Sequence, residues 1–341
     1  MLNRRYVWFR KFLYFLLPLI LLVIIFRKVN ISRLYALLED IKLVYIILAL
    51  AIMPFSIVLG SRRWYLLNNF YNNRSLSFKF ISFHYWAGLA IGYFTPGNIG
   101  WDAYRIIAVG KKMKNYKSAL IAIVSEKFIG FLSVSLMILI VFPIVENQIL
   151  KDGKFYSQIY FGSFGILALV ILIAGLILKS KGKYISDWIN SSIRSITLKF
   201  SKLVKIKNLE ALNSFDFKNS RSLLSIIKNP GILFSTFFMS WGILLISALS
   251  NQFLFRALGY EIDIIINLFA APVFFILFLV PLSFGSLGVR EGVYILFYDQ
   301  FGVPMEIALL VSFLSLIGIL LNNALGAGSI IINGFKVPKK C

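Results

Sequence analysis

Charged side chains interrupt the apolar sequence at a few places, and their types suit a site for a charged ligand. They are Asp102, Arg105, Glu126, Lys127, Arg290 and Glu291. The guanidinium group of arginine is a planar fork of five donors that matches the oxygens of a phosphate. We therefore expect Arg105 and Arg290 to bind a phosphate group, with Asp102, Glu126 and Glu291 orienting them. Asp102 and Arg105 are three residues apart, so they can share one face of a helix.

A structural role is the alternative for the same side chains. An ionisable residue at the centre of a bilayer costs about 2.5–3.5 kcal/mol on insertion scales, so it needs a partner or a water-filled cavity. Buried ion pairs that hold the two halves of the chain together would meet this need. The sequence leaves both roles open for Arg105 and Arg290, and it favours the structural role for Lys127.

Two glycine motifs precede these charges and echo each other. Thr95-Pro96-Gly97-Asn98-Ile99-Gly100 matches Ser283-Phe284-Gly285-Ser286-Leu287-Gly288 in its hydroxyl, glycine and branched apolar positions. Unwound backbone at membrane depth persists only where protein buries it or where it lines a wet cavity. Paired interrupted segments in corresponding halves point to a transporter binding site. We therefore assign Gly97, Gly100, Gly285 and Gly288 to the binding site.

The composition places these motifs in a membrane. The chain has 341 residues, of which 59% are hydrophobic, whereas soluble domains are about 45–50% apolar. The apolar residues form continuous blocks rather than an alternating pattern, which predicts helices. The long blocks are Phe12–Phe26, Leu43–Gly60, Ala119–Phe142, Phe161–Leu178, Ile232–Phe255 and Ile307–Ile332, and the short ones are Phe80–Phe94 and Ile264–Leu282.

The predicted fold is an all-α, polytopic helical membrane protein with about 6 to 8 membrane segments. Each short block runs into a glycine motif, and we expect it to be a re-entrant half-helix within an inverted repeat. Residues 1–341 form one transmembrane domain, with a first half at 1–178 and a second half at 231–341. The intervening basic loop at 179–230 contains an apolar pattern of helical spacing that predicts an interfacial amphipathic helix. A solvated basic linker is the alternative for this loop.

The net charge of +22, from 36 Lys and Arg against 14 Asp and Glu, mainly describes orientation. Lysine and arginine collect in cytoplasmic loops and attract anionic headgroups, so nucleic acid is not an expected partner. The loop at 179–230 and the segment at 105–117 should be cytoplasmic, and the segment at 256–263 should lie outside. Both termini are then cytoplasmic in a cell (inner) membrane. Arg27, Lys28, Arg33 and Lys42 oppose this rule in the first outer loop.

The motifs resemble those of the flippase-like family related to the membrane half of lysylphosphatidylglycerol synthases. Residues 95–105 are similar to its Pro-Gly-x-x-Gly-Gly-Asp-x-x-Arg pattern, with Trp101 where glycine is common. Glu126-Lys127-Phe128-Ile129-Gly130 resembles Glu-Arg-x-x-Gly, and residues 285–291 closely match Gly-x-Leu-Gly-x-Arg-Glu. The likeness spans roughly Leu43 to Gly328. It implies translocation or binding of an anionic phospholipid or lipid-linked glycan, with membrane lipids as partners.

Two other functions compete with lipid translocation. A polytopic glycosyl- or aminoacyl-transferase would need catalytic residues, and His84, the only histidine, lies on an apolar block where packing is its simpler role. No His/Cys cluster suits a metal, and we expect no cofactor and no enzymatic activity. A non-catalytic accessory subunit, or a homo-oligomer, could use Asn322, Asn323, Gly326 and Gly328 for helix contacts, although the sequence favours packing within the chain for them.

Overall fold

A computed structural model of the chain describes residues 18, 20–72, 75–95, 98–149, 157–165, 167–168, 223–278 and 287–333. Every regular element in these ranges is helical. In chain order the α-helices are α1 (20–28), α2 (Ile31–Glu39), α3 (Leu43–Tyr71), α4 (Phe78–Tyr93), α5 (Ile99–Met113), α6 (Tyr116–Val145), α7 (157–165), α8 (Pro230–Ala257), α9 (Ile264–Leu277), α10 (Val289–Asp299) and α11 (Met305–Asn333). Short 3-10 turns occupy Glu146–Gln148 and Leu223–Ile226.

Four of these helices are long and apolar enough to cross a membrane, namely α3, the continuous α6 segment from Tyr116 to Gln148, α8, and α11 as far as Gly328. They correspond to four of the long apolar blocks, which confirms the prediction of a polytopic helical membrane protein. A fifth apolar helix, α9, has 14 residues and is too short for this by itself. The amphipathic segment predicted within 179–230 and most of Phe161–Leu178 lie outside the described residues.

Two features of the first half differ from the sequence prediction. Helix α3 continues past Gly60 to Tyr71. The apolar block that predicted it ends before Arg62-Arg63, whereas the helical backbone continues through these two residues. Helix α2 is an additional short element, whose start is capped by the side chain of Asn30 accepting from the backbone nitrogen of Arg33 at 3.2 Å. Its nine residues carry charges among the apolar ones, so it does not form an apolar block.

The two halves repeat the same order of elements. Helices α3 to α6 have 29, 16, 15 and 30 residues, and helices α8 to α11 have 28, 14, 11 and 29 residues. Each half is thus a long helix, two short helices and a long helix. The contacts repeat as well, since α4 packs against α11 just as α9 packs against α6, and α5–α6 has its counterpart in α10–α11.

Equivalent helices run in opposite directions, as an inverted repeat requires. Helices α3 and α8 pack along each other, and Ser250 Oγ donates to the carbonyl of Ala49 at 3.3 Å. Near the other end of this pair, Arg63 Nη1 donates to Ser240 Oγ at 2.7 Å. Residue numbers increase along α3 while those of its partners in α8 decrease, so the two helices are antiparallel. The repeat predicted from the two glycine motifs extends to the helices around them.

Both pairs of short helices enter and return at one end of the molecule. At one end, Leu76 before α4 and Val109 near the end of α5 belong to the same buried cluster, and we call this the Leu76 end. At the opposite end, Tyr260 Oη before α9 donates to the carbonyl of Gly302 after α10 at 3.4 Å, and we call this the Gly302 end. A re-entrant element must begin and end on the same side, as each of these helix pairs does. Re-entry into a bilayer itself stays a prediction.

Charge differs between the two ends. The Leu76 end carries lysines at its loops, namely Lys111, Lys112, Lys114 and Lys228. The Gly302 end gathers the acidic residues Glu146, Glu261, Asp263, Asp299 and Glu306 together with Arg33, Lys42 and Arg256. By the preference of Lys and Arg for cytoplasmic loops the Leu76 end is expected to be cytoplasmic, and this orientation stays a prediction.

Candidate functional site

An alternating network of cations and anions fills the interior of the first half. Arg105 donates from Nη1 to Glu126 Oε2 at 2.8 Å and from Nη2 to Asp102 Oδ1 at 2.6 Å. Arg63 Nη2 donates to Glu126 Oε1 at 2.7 Å, and Lys127 Nζ lies 3.0 Å from Asp102 Oδ2. Three cations face two anions, so the network has a net charge of +1. It joins α3, α5 and α6.

The network runs from the interior towards the surface. The side chain of Arg105 is fully buried and that of Glu126 is 3% exposed, whereas those of Asp102 and Lys127 are 25% and 40% exposed. Burial by itself lowers the pKa of Arg105, but the carboxylates of Glu126 and Asp102 outweigh this effect and raise the pKa above its ordinary value. Arg105 is therefore a fixed positive charge inside the helix bundle.

Aromatic rings enclose the guanidinium of Arg105. Its Cζ atom lies 4.3 Å from the ring centroid of Trp101, 5.0 Å from that of Tyr85 and 5.1 Å from that of Trp64. Such contacts stabilise a cation through the negative face of the ring, most strongly where water is excluded. Both Nη atoms of Arg105 are bonded to carboxylates, which is the arrangement expected of a buried ion pair with a structural role. Phosphate binding by Arg105 stays a prediction.

Glycines in α4 let α5 approach closely. A Cβ atom on Gly92 would lie 2.6 Å from Trp101 Cβ and 3.2 Å from the Trp101 backbone nitrogen, and one on Gly88 would lie 2.7 Å from Trp101 Cδ1. Thr95 closes the turn, since Gly100 N donates to Thr95 Oγ1 at 2.9 Å and this hydroxyl donates to the carbonyl of Gly92 at 2.8 Å. The motif hydroxyl therefore joins the two short helices. Gly97 lies outside the described residues.

Three residues of the network's surroundings were missed from sequence. Arg63, Trp64 and Tyr85 line the same interior as Arg105. Arg62 and Arg63 directly follow the apolar block Leu43–Gly60, and the continuation of α3 buries Arg63 against Glu126. The spacing of Gly88 and Gly92, a Gly-x-x-x-Gly pattern in an apolar helix, was a usable signal for the close packing of α4.

The second glycine motif presents a different charge arrangement. Gly288 precedes α10 with φ +74°, and a Cβ atom there would lie 2.8 Å from the carbonyl oxygen of Pro18. Arg290 is 6% exposed and Glu291 is fully buried. Arg290 Nε and Nη1 and both carboxylate oxygens of Glu291 find no hydrogen-bond partner among the described residues. Gly285 lies outside the described residues.

Arg290 and Glu291 point to different sides of α10. Consecutive helical residues are about 100° apart, and the described part contains no ion pair between these two. The guanidinium Cζ of Arg290 lies 5.6 Å from the ring centroid of Phe278, which follows α9. Arg290 thus faces the junction between the two short helices of its half.

The two glycine motifs approach each other through Tyr93. This residue ends α4, next to the first motif, and its phenol lies within electrostatic range of both Arg290 and Glu291. Phe94, which follows it, is 76% exposed. The charged start of α10 therefore lies on the side of the molecule where α4 ends, and a meeting of the two motifs stays a prediction.

A neutral polar network joins α10 to the neighbouring helices α8, α9 and α11. Tyr298 Oη donates to Asn267 Oδ1 at 2.6 Å, and Asn267 Nδ2 donates to Gln252 Oε1 at 2.6 Å. Tyr294 Oη makes longer bonds of 3.3 Å and 3.4 Å, to Asn251 Oδ1 and Ser315 Oγ. Because Arg290, Tyr294 and Tyr298 are four residues apart, they lie on one face of α10. The network fixes the orientation of the helix that carries Arg290.

The remaining candidates from the sequence have packing roles. His84 Nδ1 is 2.9 Å from Tyr104 Oη, and its ring packs against Phe80 and Phe83. A Cβ atom on Gly326 would clash with the carbonyl oxygen of Trp86, so α11 touches α4 within the chain at this point. Gly328 has no such neighbour within 4 Å.

The fold and the site together define a class of protein. It is a multi-pass helical membrane protein whose two halves form an inverted repeat around interrupted helices. The family model described as the lysylphosphatidylglycerol synthase TM region matches residues 11–323. The chain belongs to this family of lipid-related membrane proteins. No curated protein and no solved structure matched the chain.

Proposed function

We propose that this protein binds the phosphate of an anionic phospholipid or lipid-linked glycan at Arg290 and moves its headgroup between the leaflets. The guanidinium of Arg290 carries the proposal. It is almost fully buried, two of its nitrogens are without partners in the described part, and its Cζ atom lies 5.6 Å from the ring centroid of Phe278 at the end of α9. A buried charge without a partner is costly, and an anionic ligand removes that cost.

The contrast with Arg105 supports this assignment. Both arginines follow a glycine motif, but both Nη atoms of Arg105 are bonded to carboxylates and three aromatic rings surround it, whereas no carboxylate among the described residues pairs with Arg290. The network around Arg105 fixes α5 against α3 and α6, so in the proposed cycle the first half offers a rigid wall. The helices that carry Tyr93 and Arg290 then form the two sides of the headgroup site.

The inverted repeat supports translocation rather than binding alone. In transporters with such repeats, the ligand site lies where the two halves meet, and rocking of one half against the other exposes it to either side. A non-catalytic role is part of this proposal. Among the described residues, no group of three or more His, Cys, Asp and Glu side chains could hold a metal ion, and His84 packs between aromatic rings.

Reconstitution into liposomes tests the proposal. The purified full chain is placed in vesicles that contain either fluorescent phosphatidylglycerol or fluorescent phosphatidylcholine, and accessibility of each label in the inner leaflet is followed with a membrane-impermeant quencher. We expect faster transbilayer movement of the anionic lipid, and we expect Arg290→Ala to reduce it to the rate of protein-free vesicles. Arg290→Lys should retain part of the activity, since lysine keeps the charge but not the fork.

Arg256→Ala is the matched control, because Arg256 is an exposed arginine at the Gly302 end, remote from the glycine motifs. It should move lipid at the wild-type rate. Thermal unfolding in detergent checks that every variant is folded. A folded Arg290→Ala protein that moves phosphatidylglycerol at the wild-type rate would exclude Arg290 as the headgroup site. Equal slow rates for wild type and empty vesicles would favour an accessory subunit instead.

A further inference from the structure

A groove with a volume of about 510 Å³ lies between α4 and α11. Its volume is within the range of about 300–1,000 Å³ that ligand pockets in proteins have. The α4 residues that line it are separated by one, three or four positions, so they form one face of that helix. The lining residues are Phe78, Lys79, Ser82, Phe83, Trp86 and Leu325, and none of them belongs to either glycine motif.

The groove is bounded by a close helix contact and continues into an exposed apolar stripe. The two helices touch at Gly326, where a Cβ atom would clash with the carbonyl oxygen of Trp86. Leu325 is exposed at the groove, and Leu321 and Ile317 are exposed one and two turns earlier in α11. Because α11 is long and apolar enough to cross a membrane, this stripe offers a path for a lipid chain.

One end of the groove is cationic and the other is apolar. Lys79 is exposed in the first turn of α4, near the Leu76 end. Trp86 follows it by seven residues, or about 10 Å along the helix axis. A second exposed cation, Arg62, has its Cζ atom 5.6 Å from the ring centroid of Phe78, which is part of the groove wall. Two positive charges therefore lie at the end of the groove that is nearest the membrane surface.

Among the described residues of the three surrounding helices, no acidic side chain lies near these cations. Helices α3 and α4 contain no acidic residue, and α11 contains only Glu306, in its first turn at the Gly302 end. No ion pair within the described ranges includes Lys79 or Arg62. A cationic end with apolar walls beyond it matches an anionic phospholipid, whose phosphate lies at the membrane surface while its acyl chains extend inwards.

From this arrangement we propose that the groove is a binding site for one anionic phospholipid. Lys79 and Arg62 hold its phosphate, and an acyl chain lies against Trp86 and Leu325. This lipid remains between α4 and α11 and is distinct from the lipid that moves between the leaflets. The groove site therefore does not depend on the proposed function at Arg290.

Trp86 provides a local fluorescence probe of the groove. The purified full chain is reconstituted into phosphatidylcholine vesicles that contain increasing fractions of phosphatidylglycerol or phosphatidylcholine with brominated acyl chains, which quench tryptophan on contact. Subtracting the signal of Trp86→Phe isolates the contribution of Trp86. We expect half-maximal quenching at a lower fraction of brominated phosphatidylglycerol, since each cation near the membrane surface favours an anionic lipid by about fivefold.

Removing the cations should remove this preference. Lys79→Gln should lower it by about fivefold, and Arg62→Gln should lower it in the same direction. Lys111→Gln is the matched control, because Lys111 is an exposed lysine at the same end of the molecule that does not line the groove. It should keep the wild-type preference. Native mass spectrometry gives a second readout without Trp86→Phe, and wild type should retain one more phosphatidylglycerol than Lys79→Gln.

Three results would overturn the groove site. One is equal quenching of Trp86 by the two lipids, and another is a full preference in Lys79→Gln, since both describe an unselective surface that faces lipid. The third is identical quenching in wild type and Trp86→Phe, which would show that no lipid chain enters the groove.

The variant Arg290→Ala separates this site from the proposed function. It should keep the preference at Trp86 even where it abolishes transbilayer movement. Loss of the preference in folded Arg290→Ala would overturn a separate groove site. Wild-type movement in Arg290→Ala together with selective quenching of Trp86 would overturn the proposed function and leave the groove site standing.

Discussion

Two arginines that follow similar glycine motifs have opposite surroundings. Arg105 has carboxylate partners on two helices, while Arg290 has none among the described residues. A buried charge that is fully paired contributes mainly to the fold, and a buried charge that lacks partners is available to a ligand. The neighbours rather than the motif therefore distinguish the paired Arg105 from Arg290, the arginine of the proposed lipid site.

Removing Arg105 should destabilise the protein strongly. Arg105→Gln leaves Glu126 with Arg63 alone and leaves Asp102 with Lys127 alone, and loss of one partner in a buried ion pair costs about 3–5 kcal/mol. Lys127→Gln removes a cation that is 40% exposed, and surface pairs contribute about 0–1 kcal/mol. Thermal unfolding in detergent compares the two. A similar loss of stability in both variants would contradict the importance of burial in this network.

Tyr298 and Tyr294 provide a second matched pair of substitutions. Tyr298→Phe removes the donor to Asn267 Oδ1 at 2.6 Å and leaves a buried acceptor unsatisfied, which costs about 1–3 kcal/mol. Tyr294→Phe removes bonds of 3.3 Å and 3.4 Å, so its cost should be smaller. Denaturant titration of unfolding measures both. A larger effect for Tyr294→Phe would show that the network is not organised around Asn267.

Local spacing allowed part of this chemistry to be predicted. The pairing of Asp102 with Arg105 follows from their separation of three residues on a helix, and the structure contains that bond. The partnership of Glu126 with Arg63 and Arg105 joins three helices, and spacing along one helix carries no information about it. The neutral network around Tyr298 was missed for the same reason, because its members come from α8, α9, α10 and α11.

Among the elements, α4 and α5 owe their close packing to glycine. Gly92→Ala would place a methyl group 2.6 Å from Trp101 Cβ and 3.2 Å from its backbone nitrogen, so α5 must shift. Such overpacking costs about 1–3 kcal/mol. The shift should also disturb the ion pairs of Asp102 and Arg105, which belong to the same helix.

Gly130→Ala is the control for this change, because nothing lies within 4 Å of its added methyl group. It should stabilise α6 by about 0.5–1 kcal/mol through the higher helix propensity of alanine. Thermal unfolding in detergent measures both variants. If Gly130→Ala were destabilised and Gly92→Ala were unaffected, the tight helix contact would not lie at Gly92.

Apolar length predicted the long helices well and the shorter elements poorly. Continuous runs of apolar residues mark α3, α6, α8 and α11, since a membrane span requires them. Helix α3 extends through Arg62 and Arg63 because buried partners compensate for charge, which hydropathy does not register. Helix α2 has charged residues at Arg33 and Glu39, and its amphipathic pattern spans only nine residues, too few to stand out.

At the scale of the whole molecule, the echo between two short motifs predicted an inverted repeat that the helix contacts contain. The motifs share a few positions, whereas the repeat relates four helices to four helices in antiparallel order. The charges do not follow the repeat. The interior of the first half is ion-paired, while the second half combines a neutral network with the unpartnered Arg290 and Glu291. This asymmetry is the reason that the lipid site is proposed in the second half.

Orientation in the membrane gives the final prediction. The sole cysteine, Cys341, can be replaced by serine, which gives a background for single-cysteine labelling. If both short-helix pairs are re-entrant, cysteine at Ser77 or Lys114 should be labelled from the cytoplasmic side, because these residues flank α4 and α5. Cysteine at Glu261 or Gln300 should be labelled from outside, because these residues flank α9 and α10.

A membrane-impermeant maleimide applied to intact cells and to inverted vesicles measures this sidedness. Helix α8 fully crosses, so Lys228 before it should be labelled with Lys114 and opposite to Glu261. If α4 or α5 alone spanned the membrane, Ser77 and Lys114 would be labelled from opposite sides. That result would contradict re-entry of this helix pair and the expected common depth of the two glycine motifs. Because Tyr260 bonds to the Gly302 carbonyl, the positions around α9 and α10 must share one side in any orientation of the folded chain. Opposite labelling of Glu261 and Gln300 would therefore contradict the fold itself, whereas reversal of all sites together would contradict only the orientation taken from the lysines.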